Sequence, residues 1–210
     1  MIDGSCAILV FSKAPVPGQV KTRLLPALGE ADVVTLYIEL VERTLREVSG
    51  FSENVQLYCT PDTRHPFFQA CRDRYGIRLY TQTGADLGER MANAIAGTLG
   101  EYASVIIIGC DCPELDRTDL STACGQLRDG TDIVLGPCED GGYYLVGMSR
   151  PIPGLFTGIH WGTANVLKQT RHRVNELNLR LFELPVRWDL DDVQDLGRLR
   201  AMQPGFTLPA

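Results

Sequence analysis

Val105-Ile106-Ile107-Ile108-Gly109-Cys110-Asp111-Cys112-Pro113 is the stretch on which the fold turns. An unbroken run of β-branched residues is the pattern of a strand buried on both faces, not of one with a wet side. Such a strand needs paired neighbours on each edge and helices above and below, because its backbone and both side-chain faces must leave water. Immediately after it the chain becomes polar: a glycine, a carboxylate and a proline that turns the backbone away.

The pattern recurs on either side. Ala7-Ile8-Leu9-Val10-Phe11 is a second continuous apolar run, followed by a loop with Pro15, Pro17 and Gly18. Helical spacing places Val33, Leu36, Tyr37, Leu40, Val41, Leu45 and Val48 on one face of a helix over 31–48. A strand is expected over 55–59, a helix over 65–75 and a short strand over 77–80. Asp86 is placed to cap a helix that ends near Gly100. Helices over 118–128, 163–177 and 193–202 alternate with strands at 133–135, 143–146 and around Leu181. This alternation predicts a single α/β domain over 1–210, with a mostly parallel central sheet covered on both faces. The strand pair around Gly136 to Gly147 breaks the alternation and is expected to be antiparallel.

Composition narrows the function. The chain has 210 residues, of which 44% are hydrophobic and 22% charged, so it has the makings of a core and is not a disordered tract. A formal charge of −6 disfavours a broad nucleic-acid surface. No apolar run is long enough to span a membrane, and no basic region precedes the short Ala7–Phe11 run as a signal peptide requires. The seven scattered cysteines lack metal or redox spacing, Cys110-Asp111-Cys112 included, and are read as reduced thiols. Together these features point to the cytoplasm.

In open α/β sheets, ligands bind beyond the carboxyl ends of the strands. Lys13, Lys21 and Arg23 surround the stiff Pro15–Gly18 loop after the first strand, a cradle for a diphosphate in which Gly18 frees the backbone. It is no Walker A loop, since Val20 precedes the lysine; a solvated basic loop is the alternative. Asp111, directly after the central strand, is placed to hold Mg²⁺ or Mn²⁺, or else merely to cap the next turn. In Gly136-Pro137-Cys138-Glu139-Asp140-Gly141-Gly142-Tyr143, Glu139, Gly141, Gly142 and Tyr143 suit a substrate pocket with Asp140 as base, although Asp-Gly-Gly also suits a plain hairpin turn. Asp191, in Trp188-Asp189-Leu190-Asp191-Asp192, could bring a second carboxylate to the metal, or the run could open the last helix. His160 and Trp161 offer an imidazole and an aromatic face to the same pocket; a structural role is the alternative.

Taken together, Lys13 to Leu24, Asp86-Leu87-Gly88-Glu89-Arg90-Met91, Gly109 to Leu115, Gly136 to Gly147 and Asp189 to Leu196 resemble a bacterial GT-A-type glycosyltransferase-like family of the nucleotide-diphospho-sugar transferase superfamily. More distantly they are similar to molybdenum-cofactor and phospholactate guanylyltransferases. The resemblance implies a GT-A/Rossmann-like three-layer sandwich, with Lys21 and Arg23 on phosphates, Asp111 on a divalent metal and Asp191 as a further ligand. The Asp-x-Asp motif of glycosyltransferases is absent at Asp111-Cys112-Pro113, which has only one carboxylate, so the metal would draw on Asp189, Asp191 or the substrate. The reading that follows is sugar transfer from a nucleotide sugar to a small acceptor. Nucleotidyl transfer from an NTP to a phosphorylated small molecule is the alternative, and a non-catalytic nucleotide-binding protein is the second.

Overall fold

Strand β4 (Tyr102–Ile108) lies in the interior of the sheet, with β1 (Asp3–Lys13) on one edge and β6 (Tyr143–Met148) on the other. The computed structural model describes residues 3–202. In chain order the remaining elements are α1 (Glu30–Ser49), β2 (Val55–Thr60), α2 (Pro66–Tyr75), β3 (Arg78–Thr81), α3 (Leu87–Thr98), α4 (Arg117–Arg128), β5 (Ile133–Pro137), α5 (Val166–Glu176), β7 (Leu181–Glu183) and α6 (Val193–Met202). The seven strands form one sheet in the order β3-β2-β1-β4-β6-β5-β7. Only β6 runs against the others, pairing antiparallel with both β4 and β5, as the broken alternation around Gly136–Gly147 predicts.

Period-two side-chain direction sorts the strands into two cores. Ile8, Val10, Leu57, Ile106 and Ile108 face α1, α2 and α4, meeting Val41, Leu45, Phe68, Leu120 and Leu127. Ala7, Leu9, Val105, Ile107 and Val146 face α3 and α5, meeting Met91, Ile95, Leu167 and Val174. The result is the expected three-layer sandwich. Asp86 caps α3 by accepting the Glu89 N–H at 2.8 Å. Helix α5 starts later than its periodicity suggests, because Thr163 Oγ1 donates to the His160 carbonyl and accepts from the Asn165 N–H, holding a turn there.

Two consequences of topology place the functional region. From β1 the chain winds outward to β2 and β3, whereas β4 adds on the opposite edge of β1. The carboxyl ends of β1 and β4 therefore flank a crevice where the winding reverses, the general ligand position of such sheets. In addition, the segment after β7 returns across these strand ends. Arg187 N–H donates to the Pro137 carbonyl at 3.0 Å, and Leu190 N–H donates to the Asp111 carbonyl at 2.8 Å. Trp188 (1% exposed) and Leu190 then pack with Leu36 and Leu40 of α1 and with Leu196 and Leu199 of α6. The Arg198 guanidinium lies 4.6 Å from the Trp188 ring centroid.

Trp188 thus anchors the arm that carries Asp189 and Asp191. Trp188→Ala is expected to cost about 3–5 kcal/mol, the usual range for emptying a buried aromatic site. Urea unfolding checks this; a loss below about 1 kcal/mol would mean that the arm docks independently of the ring.

Candidate active site

A cavity of about 540 Å³ opens at the β1/β4 switch point. Lys13, Lys21 and Arg23 contribute to it from the loop after β1, and Asp111 and Asp191 face them from the loops after β4 and β7. Gln82, Leu87 and Arg90 line it from the start of α3 and the turn before it. Gln82 is held by its amide nitrogen, which donates to the Tyr58 carbonyl at 2.9 Å and the Ser12 carbonyl at 3.3 Å. The Tyr37 hydroxyl accepts the Lys13 N–H at 2.9 Å and ties the end of β1 to α1.

Lys21 is the centre of this arrangement. Its Nζ lies 2.8 Å from Asp111 Oδ1 and 2.8 Å from Asp191 Oδ1, and its side chain is only 6% exposed. Burial alone would pull its pKa down; the two carboxylates outweigh that and hold it above the ordinary lysine value. The backbone of Lys21 is left-handed, φ 46, a region a non-glycine residue rarely adopts. Here it directs the side chain inward, ahead of a short 3-10 turn at Thr22–Leu24. Only the Asp191 contact has hydrogen-bond geometry, so Asp111 Oδ1 is buried beside the ammonium without a hydrogen-bond partner. Arg23 Nη1 lies 3.7 Å from the other oxygen of Asp191.

Asp189 forms a second focus. Ligand atoms of Cys138, Asp140 and Asp189 all lie within 4.8 Å of one another. Burial, with smaller contributions from Asp111 and Asp140, pushes the Asp189 carboxyl up to about 7, against the opposing effects of the Cys138 contact and Lys21. Asp189 Oδ1 is buried without a hydrogen-bond partner. Asp189 Oδ1, buried without a hydrogen-bond partner, and the Asp111 carboxylate, whose Oδ1 contacts the Lys21 ammonium, are hard oxygen donors of the kind a divalent cation takes.

The expected pocket residues separate. Asp140 accepts the Gly142 N–H at 2.8 Å and so shapes its own turn. Gly141 is required there: its φ is +88, and a Cβ would come within 2.1 Å of the Ala164 carbonyl oxygen. Gly18, φ +72, turns the loop in open space and is not among the residues lining the cavity. Glu139 points to α6 and makes paired contacts with Arg198 at 2.8 and 3.0 Å. Tyr143 turns into the α3/α5 core, its ring edge-on to Trp161 at 6.4 Å. Trp161 packs over Gly88, where a Cβ would be 2.9 Å from the indole, and so backs the α3 wall of the cavity. His160 is exposed, with Nδ1 2.8 Å from Gln169 Nε2. Of the acidic run before α6, Asp192 and Asp195 cap the helix, accepting N–H groups of Gln194 and of Asp191 and Asp192, which leaves Asp191 for the cavity and Asp189 buried beside Cys138 and Asp140.

Residues 44–163 match a family described as "Uncharacterized protein conserved in bacteria (DUF2064)". The chain belongs to this family. The DUF2064 chain also resembles a solved protein from Desulfovibrio desulfuricans G20, provisionally assigned as a nucleotide-diphospho-sugar transferase. The two are 31% identical, with a TM-score of 0.87 over 96% of this chain and 89% of that one. A cytidylyltransferase from Leptospira borgpetersenii shares the fold at 17% identity and a TM-score of 0.62, over 96% and 87% of the two chains. Glucosyl-3-phosphoglycerate synthase from Mycobacterium tuberculosis, solved with Mn²⁺, UDP and glucosyl-3-phosphoglycerate, shares it at 12% and 0.55, over 95% and 76%. Among curated proteins none matches. The GT-A-like fold of nucleotide-sugar and cytidylyl transferases is therefore that of this DUF2064 chain. None of its described helices is long and apolar enough to cross a membrane.

The burial of Asp189 has a measurable consequence. A carboxyl whose folded pKa is raised holds its proton more tightly when folded, so its ionisation opposes folding. Stability conferred by the protonated form is lost as pH rises from about 4 through about 7. In metal-free protein at pH 8, Asp189→Asn is expected to be more stable than wild type by about 1–3 kcal/mol, with the advantage vanishing near pH 4. Equal stability at both pH values would refute a buried charge at this position.

Proposed function

We propose that this protein transfers a sugar from a nucleotide-diphospho-sugar to a small acceptor, assisted by a divalent cation at Asp111 and Asp189. The observation that carries the reading is the opposition, across one crevice, of Lys13, Lys21 and Arg23 to the carboxylates of Asp111 and Asp191. A diphosphate with a bound cation satisfies both walls at once: its oxygens would meet the lysines and arginine, and its cation would meet Asp111, with the buried Asp189 carboxyl close by. The 31% identity with a provisionally assigned nucleotide-diphospho-sugar transferase supports the same substrate class.

In the reaction an acceptor hydroxyl oxygen bonds to the anomeric carbon. The bond from that carbon to the β-phosphate oxygen breaks, and the nucleoside diphosphate leaves with the bonding electrons. Lys21 and Arg23 neutralise charge that grows on the departing phosphate in a partly dry site. A bound cation would supply Lewis-acid stabilisation of the same charge. Asp140, in the carboxylate group but exposed, takes the acceptor proton.

Nucleotidyl transfer is the second reading, and one feature favours it. The carboxylates come from separate segments, Asp111 and Asp189, and Asp111 after the central strand is not part of an Asp-x-Asp pair. In that reaction a phosphate oxygen of the substrate attacks the α-phosphorus of an NTP and pyrophosphate leaves.

Melting temperature is measured with nucleoside di- and triphosphates, with and without Mn²⁺, for wild type and Asp111→Asn. A ligand that binds only folded protein raises it by mass action. A Mn²⁺-dependent rise with one nucleotide, absent in the variant, is the expected result; no rise with any of them would overturn nucleotide binding. Release of nucleoside diphosphate from a sugar donor identifies sugar transfer, and pyrophosphate release identifies the second reading. Asp140→Asn is expected to lower turnover by about 10²–10⁴-fold, the usual weight of a general base; unchanged turnover removes that role.

A further inference from the structure

At the opposite end of the sheet from the cation-lined crevice lies a cavity of about 480 Å³, among the starts of β1 and β4, the loop before β2 and the helix α4. Cys6 on β1 and Cys124 on α4 both line it, together with Ser5, Asn54, Ser104 and Arg128. All seven cysteines are free. Cys59, Cys71, Cys110, Cys112 and Cys138 are buried, whereas Cys6 and Cys124 are both part-exposed. The two thiols line the same cavity, close enough that each shifts the ionisation of the other. Arg128 follows Cys124 by one helical turn, on the same side of α4. Neither thiol has a part in the proposed transfer.

We propose that Cys6 and Cys124 form a peroxide-reactive dithiol, in which Cys124 is the attacking thiol, Cys6 the resolving one, and the product a disulfide joining β1 to α4. The geometry assigns the roles. A reactive thiol needs solvent access, a nearby cation and a resolving partner, and Cys124 has all three. The two thiols also ionise unequally. The neighbouring Cys6 thiol and the Arg128 charge lower the pKa of Cys124, in that order of weight and against its burial. The neighbouring Cys124, then burial, raises that of Cys6. Cys124, one turn from Arg128, is therefore the thiol that ionises more readily.

The chemistry balances with a hydroperoxide as the two-electron oxidant. The Cys124 thiolate attacks the terminal peroxide oxygen, the O–O bond breaks, and the leaving alkoxide or hydroxide takes a proton from solvent. The resulting sulfenic acid is attacked by the Cys6 sulfur, which gives up its proton as the S–S bond forms and water leaves. Two thiols and one hydroperoxide become one disulfide, one alcohol or water, and a further water.

The test uses the full chain as isolated and reduced. It is titrated with hydrogen peroxide, free thiols are alkylated, and peptides are mapped by mass spectrometry without reduction. The Cys6–Cys124 crosslink is expected at the lowest peroxide concentration that oxidises any cysteine, with the other five thiols still alkylated. Oxidation that begins at another cysteine, or at this pair without a crosslink, overturns the proposal; so does a protein with no crosslink at any dose. Two variants assign the order. Cys6→Ser should accumulate a dimedone-trappable sulfenic acid on Cys124, and Cys124→Ser should slow peroxide consumption by about tenfold or more. A sulfenic acid on Cys6 in the second variant would reverse the roles and overturn the assignment. The wild-type map stands whether or not either variant folds. Nucleotide binding is read separately, so a failure here leaves the transfer reading intact, and the reverse also holds.

Discussion

A single buried ammonium organises the carboxyl edge of this sheet. Lys21 Nζ sits 2.8 Å from carboxylates of two loops far apart in sequence, Asp111 after β4 and Asp191 after β7, while its own backbone belongs to the loop after β1. A lysine kept this dry must be paired, because an isolated ammonium would not remain charged in a poorly hydrated site. Without its partners Lys21 would have no reason to hold a left-handed backbone. Without Lys21 the carboxylates would repel one another. The crevice is therefore shaped by charge as much as by packing, and a phosphate ligand enters a site whose cations and anions are already opposed.

The arm after β7 shows how the protein keeps that arrangement rigid. Arg187 pairs with Asp119, which is 2% exposed, at 3.2 Å. Next to it Trp188 fills the space between α1 and α6, and Leu190 donates its N–H to Asp111. Trp188 and Leu190 thus anchor the arm, Asp191 lines the cavity, and Asp189 is buried beside Cys138 and Asp140. Packing holds Asp189 where its charge is disfavoured. Strain of this kind persists at a site only when the surrounding contacts over-determine it.

The fold itself does not decide between reactions. Sugar transfer and nucleotidyl transfer both need cations opposite carboxylates at a switch point, and relatives in each class share this architecture. The local features of this chain are one aspartate after the central strand, and a carboxylate group completed by Asp189 from a distant arm. The first part of that is visible in the linear motif; the second is a product of the return of the chain over β4.

Much of the architecture was legible in the sequence because it depends on local rules. Val105–Ile108 could only be an interior strand, the repeat of apolar residues at helical spacing could only be α1, and Asp86 capped α3 as its position implied. The odd antiparallel strand was legible too, since Asp-Gly-Gly between apolar runs forbids a helical crossover. For the site, Lys21, Asp111 and Asp191 were visible as charged residues at strand ends, but not the contact among them. Glu139 and Asp140 are neighbours in sequence, yet one turns to Arg198 and the other to Cys138 and Asp189. Asp189 looked no different from Asp191 or Asp192. Which aspartate caps a helix, which meets a lysine and which is buried depends on long-range packing: the sequence by itself determined the layers and their order, and only the tertiary structure decided how the carboxylates were used, because desolvation and pairing are properties of what surrounds a charge.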